Sequence, residues 1–231
     1  MKIKGFQGTS LLDFPGRIAS LIFFGGCNLC CPFCHNPTLV LDPEQYPDYP
    51  LDDLLDELRE RKNFIDGVVV SGGEPTLDRD LPQLLRAVKA LGLEVKLDSN
   101  GLAPAVLERL FAEGLVDYLA LDLKTAPERY GELHRAPVDP AALRRSVALL
   151  PASGVAYEIR TTCVPGLVES SDFKAMGETV AGADLWILQQ YVPRHALAEG
   201  WRALVPHPPE RLAEFARIAE GYVKRVSLRG L

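Results

Sequence analysis

The most reactive feature of this sequence is a cluster of thiols near its N-terminal end. Four of the five cysteines fall within eight residues, and the fifth, Cys163, stands alone. Disulfides between such close neighbours would close very short loops and stabilise the chain little. Clustered thiols of this kind are more typical of metal binding. The first candidate for a functional site is therefore the group Cys27, Cys30, Cys31 and Cys34.

Three kinds of metal site could use these thiols. A structural zinc site usually separates its two ligand pairs by about 12 to 20 residues, whereas here the pairs abut. A four-ligand cluster of the bacterial ferredoxin type needs a gap pattern that this sequence lacks. The third kind uses three thiols and leaves one iron of a four-iron cluster open for chemistry. Both Cys27-x3-Cys31-x2-Cys34 and Cys27-x2-Cys30-x3-Cys34 satisfy it, and since adjacent side chains diverge, only one of Cys30 and Cys31 should bind.

The elements that must position these thiols follow from the pattern of apolar residues. Short β-branched runs predict six strands, which alternate with segments of helical spacing. Repeated strand and helix units predict a parallel sheet with right-handed crossovers. The predicted strands are 18–24, 67–71, 94–98, 118–123, 156–162 and 185–190, and helical spacing begins at Leu51, Leu81, Val106, Leu143, Phe173 and Leu212.

Polar residues that could do chemistry stand where these strands end. The carboxyl ends of parallel strands share one edge, where ligands bind both in open doubly wound sheets and in barrels. Periodicity does not decide between those two folds. It does predict one rim that collects thiols, carboxylates, a lysine and an arginine. The segments concerned are Gly25-Gly26-Cys27, Ser71-Gly72-Gly73-Glu74-Pro75, Asp98-Ser99-Asn100-Gly101, Asp122-Leu123-Lys124 and Arg160-Thr161.

Composition excludes several classes of protein. The 231 residues are 47% apolar and 24% charged, and since no linker divides them we expect one domain, 1–231. A net charge of −6 argues against a nucleic-acid partner. The longest apolar run, 18–24, is far shorter than the ~20 residues of a membrane span, and no signal peptide precedes it. Together with the clustered thiols, these features predict a cytoplasmic protein that binds no membrane.

The thiol spacing resembles that of a known family. Cys27-x3-Cys31-x2-Cys34, with the aromatic Phe33 before the last cysteine, is similar to the signature of the radical S-adenosylmethionine (radical SAM) enzymes. The resemblance implies a 4Fe-4S cluster on these three thiols, whose open iron binds the methionine part of S-adenosyl-L-methionine. One electron then cleaves that cofactor to a 5′-deoxyadenosyl radical, which abstracts a hydrogen atom. The expected fold is an α/β partial (βα)6 TIM-like barrel with parallel strands and outer helices.

Further residues of the rim fit the same resemblance. Gly72-Gly73-Glu74 looks like the family segment that binds the ammonium of the cofactor, and a carboxylate facing an ammonium forms a charge-assisted pair. By resemblance, Lys124 neutralises the carboxylate of the cofactor, and a monovalent cation is a further candidate ligand of this pocket. The resemblance implies no catalytic residue beyond the cluster ligands. The implied cofactor-binding residues are Phe33, His35, Gly72, Gly73, Glu74, Asp98, Ser99, Asp122, Lys124 and Arg160.

Within the family, the sequence resembles activating enzymes of glycyl-radical enzymes. The segments that are most similar to anaerobic ribonucleoside-triphosphate reductase activating proteins are Gly5-Phe6-Gln7, Thr9-Ser10, Asp13-Phe14-Pro15-Gly16 and Leu188-Gln189-Gln190-Tyr191. The resemblance implies hydrogen abstraction from a backbone glycine of such a reductase. Alternatives are activation of pyruvate formate-lyase, a small-molecule radical SAM reaction, or, in a different class, a non-catalytic iron-sulfur or zinc protein.

Cysteine counting bears on the source of electrons. Activating enzymes with an inserted ferredoxin-like domain need about eight further cysteines. This chain has only Cys30 and Cys163 to spare. The electron is therefore expected from a separate flavodoxin or ferredoxin.

Overall fold

Eight strands form one sheet in which the spatial order follows the chain order. The structure is a computed structural model that describes residues 1–134 and 138–231. The first two strands pair antiparallel, and every later pair of neighbours is parallel. The strands are β1 (Ile3–Ser10), β2 (Ala19–Phe24), β3 (Gly67–Gly72), β4 (Glu94–Ser99), β5 (Tyr118–Asp122), β6 (Ala156–Cys163), β7 (Trp186–Gln190) and β8 (Val226–Arg229).

The strand order identifies the architecture. A doubly wound sheet reverses its strand order at a switch point, whereas here each strand lies beside its successor. In the described parts of the chain, β1 and β8 each pair with one neighbour, so the barrel is open between them. The predicted α/β partial barrel with parallel strands is confirmed.

All six strands predicted from the sequence are present, and two more flank them. Strands β2, β3 and β5 read as apolar runs because parallel strands inside an α/β fold are covered on both faces, whereas β4 and β6 also carry charged residues on their inner face. Strand β1 carries Gly5, Gln7 and Gly8 among its apolar residues, and β8 has four residues that are all at least partly exposed. Edge strands of this kind lack the apolar run that reveals a central strand.

Helices cover the outer face of the sheet. Apolar side chains at helical spacing, such as Leu84, Leu85 and Val88, are fully buried against the strands. No helix of the two described segments is long and apolar enough to cross a membrane. The helices are α1 (Pro37–Leu41), α2 (Leu51–Arg61), α3 (Leu81–Ala90), α4 (Pro104–Ala112), α5 (Pro140–Ser153), α6 (Phe173–Thr179), α7 (Glu199–Arg202) and α8 (Pro209–Ala219), with 3-10 turns at Pro43–Gln45, Pro75–Leu77, Pro127–Leu133 and Pro193–His195.

The inner face of the barrel has a small core of its own. Phe14, Ala19, Leu21 and Val69 form this inner apolar cluster, with Tyr118 packed against it. The cluster lies toward the amino ends of the parallel strands, since Ala19 begins β2 and Tyr118 begins β5. It fills the end of the barrel away from the strands' carboxyl ends.

Above this cluster the interior is charged. Lys96 pairs in register with Val69 on one side and Tyr118 on the other, so it shares their inward face. Because successive side chains alternate, Asp98 and Asp122 face inward as well. Arg160 lies opposite Asp122 in register. The barrel therefore presents its charged residues toward the carboxyl ends of the strands.

Candidate active site

A pocket opens at the carboxyl ends of the parallel strands. It receives residues from the end or the following loop of each strand from β2 to β7. Every residue that the sequence assigned to a cofactor or metal role lines this one pocket. These are Cys27, Cys31, Phe33, Cys34, His35, Gly72, Gly73, Glu74, Asp98, Ser99, Asp122, Lys124 and Arg160.

Sequence reasoning missed several residues of the same wall. Ser71 and Asn100 belong to the strand-end segments that it singled out, but no role was assigned to them. Thr162 and Gln189 stand near the carboxyl ends of β6 and β7, and that position is the signal that could have found them. The missed lining residues are Leu29, Asn36, Val40, Ser71, Asn100, Thr162 and Gln189.

The thiols are carried by the segment 25–36, which we call the cysteine loop. Backbone hydrogen bonds fix it to its surroundings: Gly26 N–H donates to Leu39 (2.7 Å) and Cys30 N–H donates to Leu133 (2.7 Å). Ala198 N–H donates to the carbonyl of Pro32 (3.1 Å). The loop is thus held from several sides, and three of its four thiols line the pocket.

The adjacent thiols Cys30 and Cys31 have different surroundings. Cys31 is buried and lines the pocket together with half-buried Cys27 and Cys34. Cys30 is half-buried and does not line it. The structure therefore places the Cys27, Cys31 and Cys34 set around one cavity. Cys163 is fully buried at the end of β6, away from that set.

Burial keeps the pocket thiols protonated. It raises the pKa of Cys27 to about 11 and that of Cys31 to about 12, although Lys124 opposes both shifts. Burial also raises the pKa of Cys34. Because metals bind the thiolate, a metal cluster must displace these protons, and buried thiols without a metal are unreactive.

The two glycines before Glu74 allow strand β3 to approach the cysteine loop. A Cβ on Gly73 would lie 1.9 Å from the carbonyl oxygen of Gly26, and one on Gly72 would lie 2.5 Å from the Phe24 nitrogen. Gly72 also has a φ of +107°, a conformation that side chains disfavour. The close approach that these glycines permit is therefore first of all to the chain's own backbone.

The carboxylate of Glu74 is 3% exposed and is held from several directions. Its Oε1 accepts hydrogen bonds from the Thr76 N–H (3.2 Å), the Thr76 hydroxyl (2.5 Å) and the Ser99 hydroxyl (2.9 Å). Its Oε2 accepts the N–H of Asn100 at 2.7 Å. Burial raises the pKa of Glu74 and these donors oppose the rise. The carboxylate thus connects β3 to β4. Its Oε2 accepts one hydrogen bond and can accept another.

An alternating row of charges crosses the inside of the pocket. Arg160 bridges two carboxylates, since its Nη1 donates to Asp98 (3.1 Å) and its Nε to Asp122 (2.9 Å). Lys96 donates to the other oxygen of Asp98, and Lys124 donates to the other oxygen of Asp122 at 2.9 Å. Arg160 therefore faces inward and acts as the centre of the row. A monovalent cation at these carboxylates would compete with the chain's own cations.

This row contains three cations and two carboxylates, and Glu158, on the same face of β6 as Arg160, adds a buried carboxylate that pairs with Arg229 at 3.4 Å. Lys96, at one end, is almost completely buried, whereas the side chain of Lys124, at the other end, is 23% exposed. Burial disfavours the charge on Asp122, but Arg160 and Lys124 outweigh it and hold its pKa below the usual range. Asp122 in turn raises the pKa of Lys124 despite burial. Lys124 is thus the cation of this row that is most exposed to the pocket.

Two residues near the thiols complete the rim. Phe33 is buried and closes the wall beside Cys34. His35 is exposed, and its ring lies 6.3 Å from the ring of His195. Burial of its inner side, with help from Lys124 and His195, lowers the pKa of His35. His35 is therefore held toward its neutral form at the mouth of the pocket.

The donor set fits a cluster better than a single ion. Within the described residues, no three His, Cys, Asp or Glu side chains converge on one point as the ligands of one ion do. The three thiols instead stand around the wall of one pocket. A four-iron cluster binds each thiolate at a different corner, so the arrangement suits such a group.

Comparison with known proteins identifies a family and two similar relatives of this chain. The family model described as "Radical SAM superfamily" matches residues 21–176 of this chain. A protein of Methanocaldococcus jannaschii that is named as a glycyl-radical enzyme activating enzyme is 33% identical over 98% of this chain and 95% of its own. The pyruvate formate-lyase-activating enzyme of Streptococcus mutans is 30% identical over 90% of this chain and 83% of its own.

A solved structure shares the fold. SuiB of Streptococcus suis, bound to S-adenosylmethionine, has a TM-score of 0.62 at 19% identity. The match covers 91% of this chain and 52% of that one, so this chain spans about half the length of its structural neighbour. At this identity the likeness concerns the fold alone.

Proposed function

The chain belongs to the radical SAM superfamily, and on that premise we propose that it activates an anaerobic ribonucleoside-triphosphate reductase. It is a radical SAM enzyme with glycyl-radical enzyme activating enzymes among its relatives. The family uses a 4Fe-4S cluster and S-adenosylmethionine. When both are bound, the cluster supplies the electron that cleaves the cofactor, and the radical so formed removes a hydrogen atom from the substrate.

The observation that carries the proposal is the meeting of the thiols and the charged row in one pocket. Cys27, Cys31 and Cys34 would hold the cluster, and the remaining wall would hold the cofactor. Cys30 stays outside this set because it does not line the pocket. Cys163 does not line the pocket either.

The methionine part of the cofactor is a zwitterion, and the pocket offers both complementary charges. Lys124, the most exposed cation of the charged row, would receive the carboxylate. Glu74, on the other side of β4, has capacity left at Oε2 for the ammonium. The two sites follow different strands, β3 and β5, so each end of the zwitterion meets its own partner.

The sequence segments named above favour the reductase as the partner. The shape of the site favours a protein substrate. Among these segments, Leu188-Gln189-Gln190-Tyr191 contributes Gln189 directly to the pocket. The barrel is open between β1 and β8 in the described residues, which would admit the glycine-bearing loop of a protein substrate. We propose that the backbone glycine of this loop is the hydrogen donor, so the radical is stored on the partner.

The electron donor is proposed to be a separate flavodoxin or ferredoxin. The chain has two cysteines beyond the proposed cluster ligands, too few for a second four-iron cluster. Clustered thiols also need a reducing compartment, which favours the cytoplasm.

Pyruvate formate-lyase is the second candidate partner. It is favoured by the Streptococcus mutans relative, which matches over most of both chains. The two candidates share the chemistry and differ in the surface that the partner's loop presents.

The direct test is anaerobic reconstitution followed by electron paramagnetic resonance. The reduced protein and S-adenosylmethionine are incubated separately with each candidate partner. The proposal expects a glycine-type doublet on the reductase, absent when the radical-bearing glycine of that partner is replaced by alanine. The matched controls omit the cofactor or the reductant.

Other outcomes select the alternatives. A doublet on pyruvate formate-lyase alone would identify the second candidate. Reductive cofactor cleavage without a radical on either partner would indicate a small-molecule substrate. A protein that binds iron but does not cleave the cofactor would be a non-catalytic iron-sulfur protein.

A further inference from the structure

Asn100 connects the cofactor side of the pocket with the cysteine loop. It follows β4, is 4% exposed and lines the pocket. Its backbone N–H donates to Glu74 at 2.7 Å, and its side-chain Nδ2 donates to the cysteine loop. No cofactor or metal role was assigned to it from the sequence.

The orientation of the Asn100 carboxamide is fixed at its oxygen. Oδ1 accepts the backbone N–H of Leu102 at 3.0 Å, which only an oxygen can do. Nδ2 is therefore the end that faces the cysteine loop. One of its two N–H groups donates to Oδ1 of Asn28 at 2.7 Å. The same nitrogen lies 3.9 Å from the sulfur of Cys27, a long hydrogen bond that its second N–H group can make.

The sulfur of Cys27 will need such donors when it becomes a thiolate. As a thiol it donates to Asn28 at 3.8 Å and accepts the backbone N–H of Leu29 at 3.3 Å. A thiolate has no proton to give and can only accept. In this part of the pocket, the Leu29 N–H and the Asn100 Nδ2 are then the donors directed to it.

We propose that Asn100 sets the reduction potential of the cluster by donating a hydrogen bond to the Cys27 thiolate. The inference rests on the proposed function, since it takes Cys27 as a cluster ligand. Hydrogen bonds to ligand sulfurs are among the factors that set iron–sulfur potentials. A donor draws negative charge from the sulfur, and this favours the reduced, more negative cluster. Asn100 is a positioning residue because it acts through Cys27.

The same residue links the potential to the cofactor. The Asn100 N–H holds Oε2 of Glu74, the oxygen with capacity left for the cofactor ammonium. Asn100 alone therefore connects a ligand bound at Glu74 with the sulfur of Cys27. The backbone hydrogen bond to Glu74 survives any side-chain replacement at position 100, so a variant there isolates the donation to Cys27.

The experiment is a redox titration of the reconstituted protein followed by electron paramagnetic resonance, without S-adenosylmethionine. Iron and sulfide are counted first in the wild type, Asn100→Leu, Asn100→Asp, Asn28→Ala and the exposed Asn63→Ala. Asn100→Leu removes both N–H donors, and Asn100→Asp keeps the oxygen for Leu102 while replacing the donors with a negative charge. Asn28→Ala keeps the donor to Cys27, and Asn63→Ala is the distant control.

The proposal expects that Asn100→Leu lowers the equilibrium constant for one-electron reduction about three- to tenfold, where tenfold corresponds to about 59 mV. Asn100→Asp should lower it further, because a carboxylate repels the added electron. Asn63→Ala should stay at the wild-type potential, and Asn28→Ala, which removes the acceptor that holds Nδ2, should shift it less than Asn100→Leu. If Asn100→Leu loses its cluster, Asn100→Ala, which also removes both N–H donors and adds no charge, takes its place.

Wild-type potentials in both Asn100 variants would overturn the inference while leaving the proposed function intact. So would an equal shift in Asn28→Ala, because the effect would then belong to the loop and not to the donor. A wild-type protein that holds no cluster would overturn the proposed function, and this inference with it.

Discussion

Gly73 leaves no room for a side chain beneath Gly26. A Cβ at position 73 would lie 1.9 Å from the Gly26 carbonyl oxygen, inside the distance that any two such atoms can reach. The neighbouring Glu74 N–H donates to the same oxygen at 2.8 Å. The end of strand β3 and the cysteine loop are thus packed backbone against backbone.

Gly73→Ala is therefore expected to displace the cysteine loop. The variant should lose most of its iron and sulfide, and its free energy of unfolding should fall by about 1 to 3 kcal/mol, the usual cost of overpacking. Iron counting and urea unfolding measure the two effects. Gly200→Ala is the matched control, because a Cβ there meets no atom within 4 Å. Wild-type iron content in Gly73→Ala would contradict the prediction, because the cysteine loop would then accommodate the added methyl group without losing the cluster.

The neighbouring cysteines give a second prediction. Cys31→Ala should lose the cluster, because its thiol is one of three that line the pocket. Cys30→Ala should keep full iron and sulfide content, since its thiol lies outside that lining. Anaerobic reconstitution followed by iron and sulfide analysis compares the two. A full cluster in Cys31→Ala with loss in Cys30→Ala would reverse the assignment.

Lys124 gives a third prediction, which concerns cofactor affinity. A charge-assisted hydrogen bond contributes ~1.5 to 3 kcal/mol, so Lys124→Ala should weaken S-adenosylmethionine binding by roughly 10- to 150-fold. The cluster should remain, because Lys124 is not a ligand. Equilibrium binding to the cluster-loaded protein measures the effect, with the exposed Lys62→Ala as control. Unchanged affinity would remove Lys124 from the cofactor site.

Asp122 predicts a pH dependence of stability. Its pKa is held low because Arg160 and Lys124 outweigh the effect of burial. An unfolded Asp takes up a proton near pH 3.9, so the stabilisation is complete above that pH and is lost as the pH falls toward the lower native pKa. Asp122→Asn should be less stable than the wild type at pH 7.

The difference in stability between wild type and Asp122→Asn should stay constant from pH 7 to about pH 5 and narrow below about pH 4. Urea unfolding followed by the fluorescence of buried Trp186 measures it across the range. A difference that persists undiminished at pH 3 would mean that Asp122 does not gain its charge energy from these partners.

The rim was predictable because its residues interrupt a clear pattern. Strands β2, β3 and β5 read as apolar runs, so the thiols, glycines and carboxylates at their ends stand out. The partial barrel was harder to predict, since periodicity does not record which strands are neighbours. The order of the strands in the sheet decides it.

The partners within the site could not be read from the sequence. Lys96 alternates with apolar neighbours in β4 and reads as a solvent-facing residue, yet it is 1% exposed because that face lies inside the barrel. The donors to Glu74 come from Thr76, Ser99 and Asn100, on two separate loops, and no spacing in the chain relates them. Contacts of this kind depend on which strands lie side by side in the curved sheet.

The inner apolar cluster of Phe14, Ala19, Leu21 and Val69 has a kinetic consequence. It lies at the end of the barrel opposite the pocket, so the cofactor would reach the pocket from the carboxyl ends of the strands. Under the proposed function, the partner's loop would reach the same pocket through the opening between β1 and β8. A bound loop would then cover the cofactor and slow its exchange.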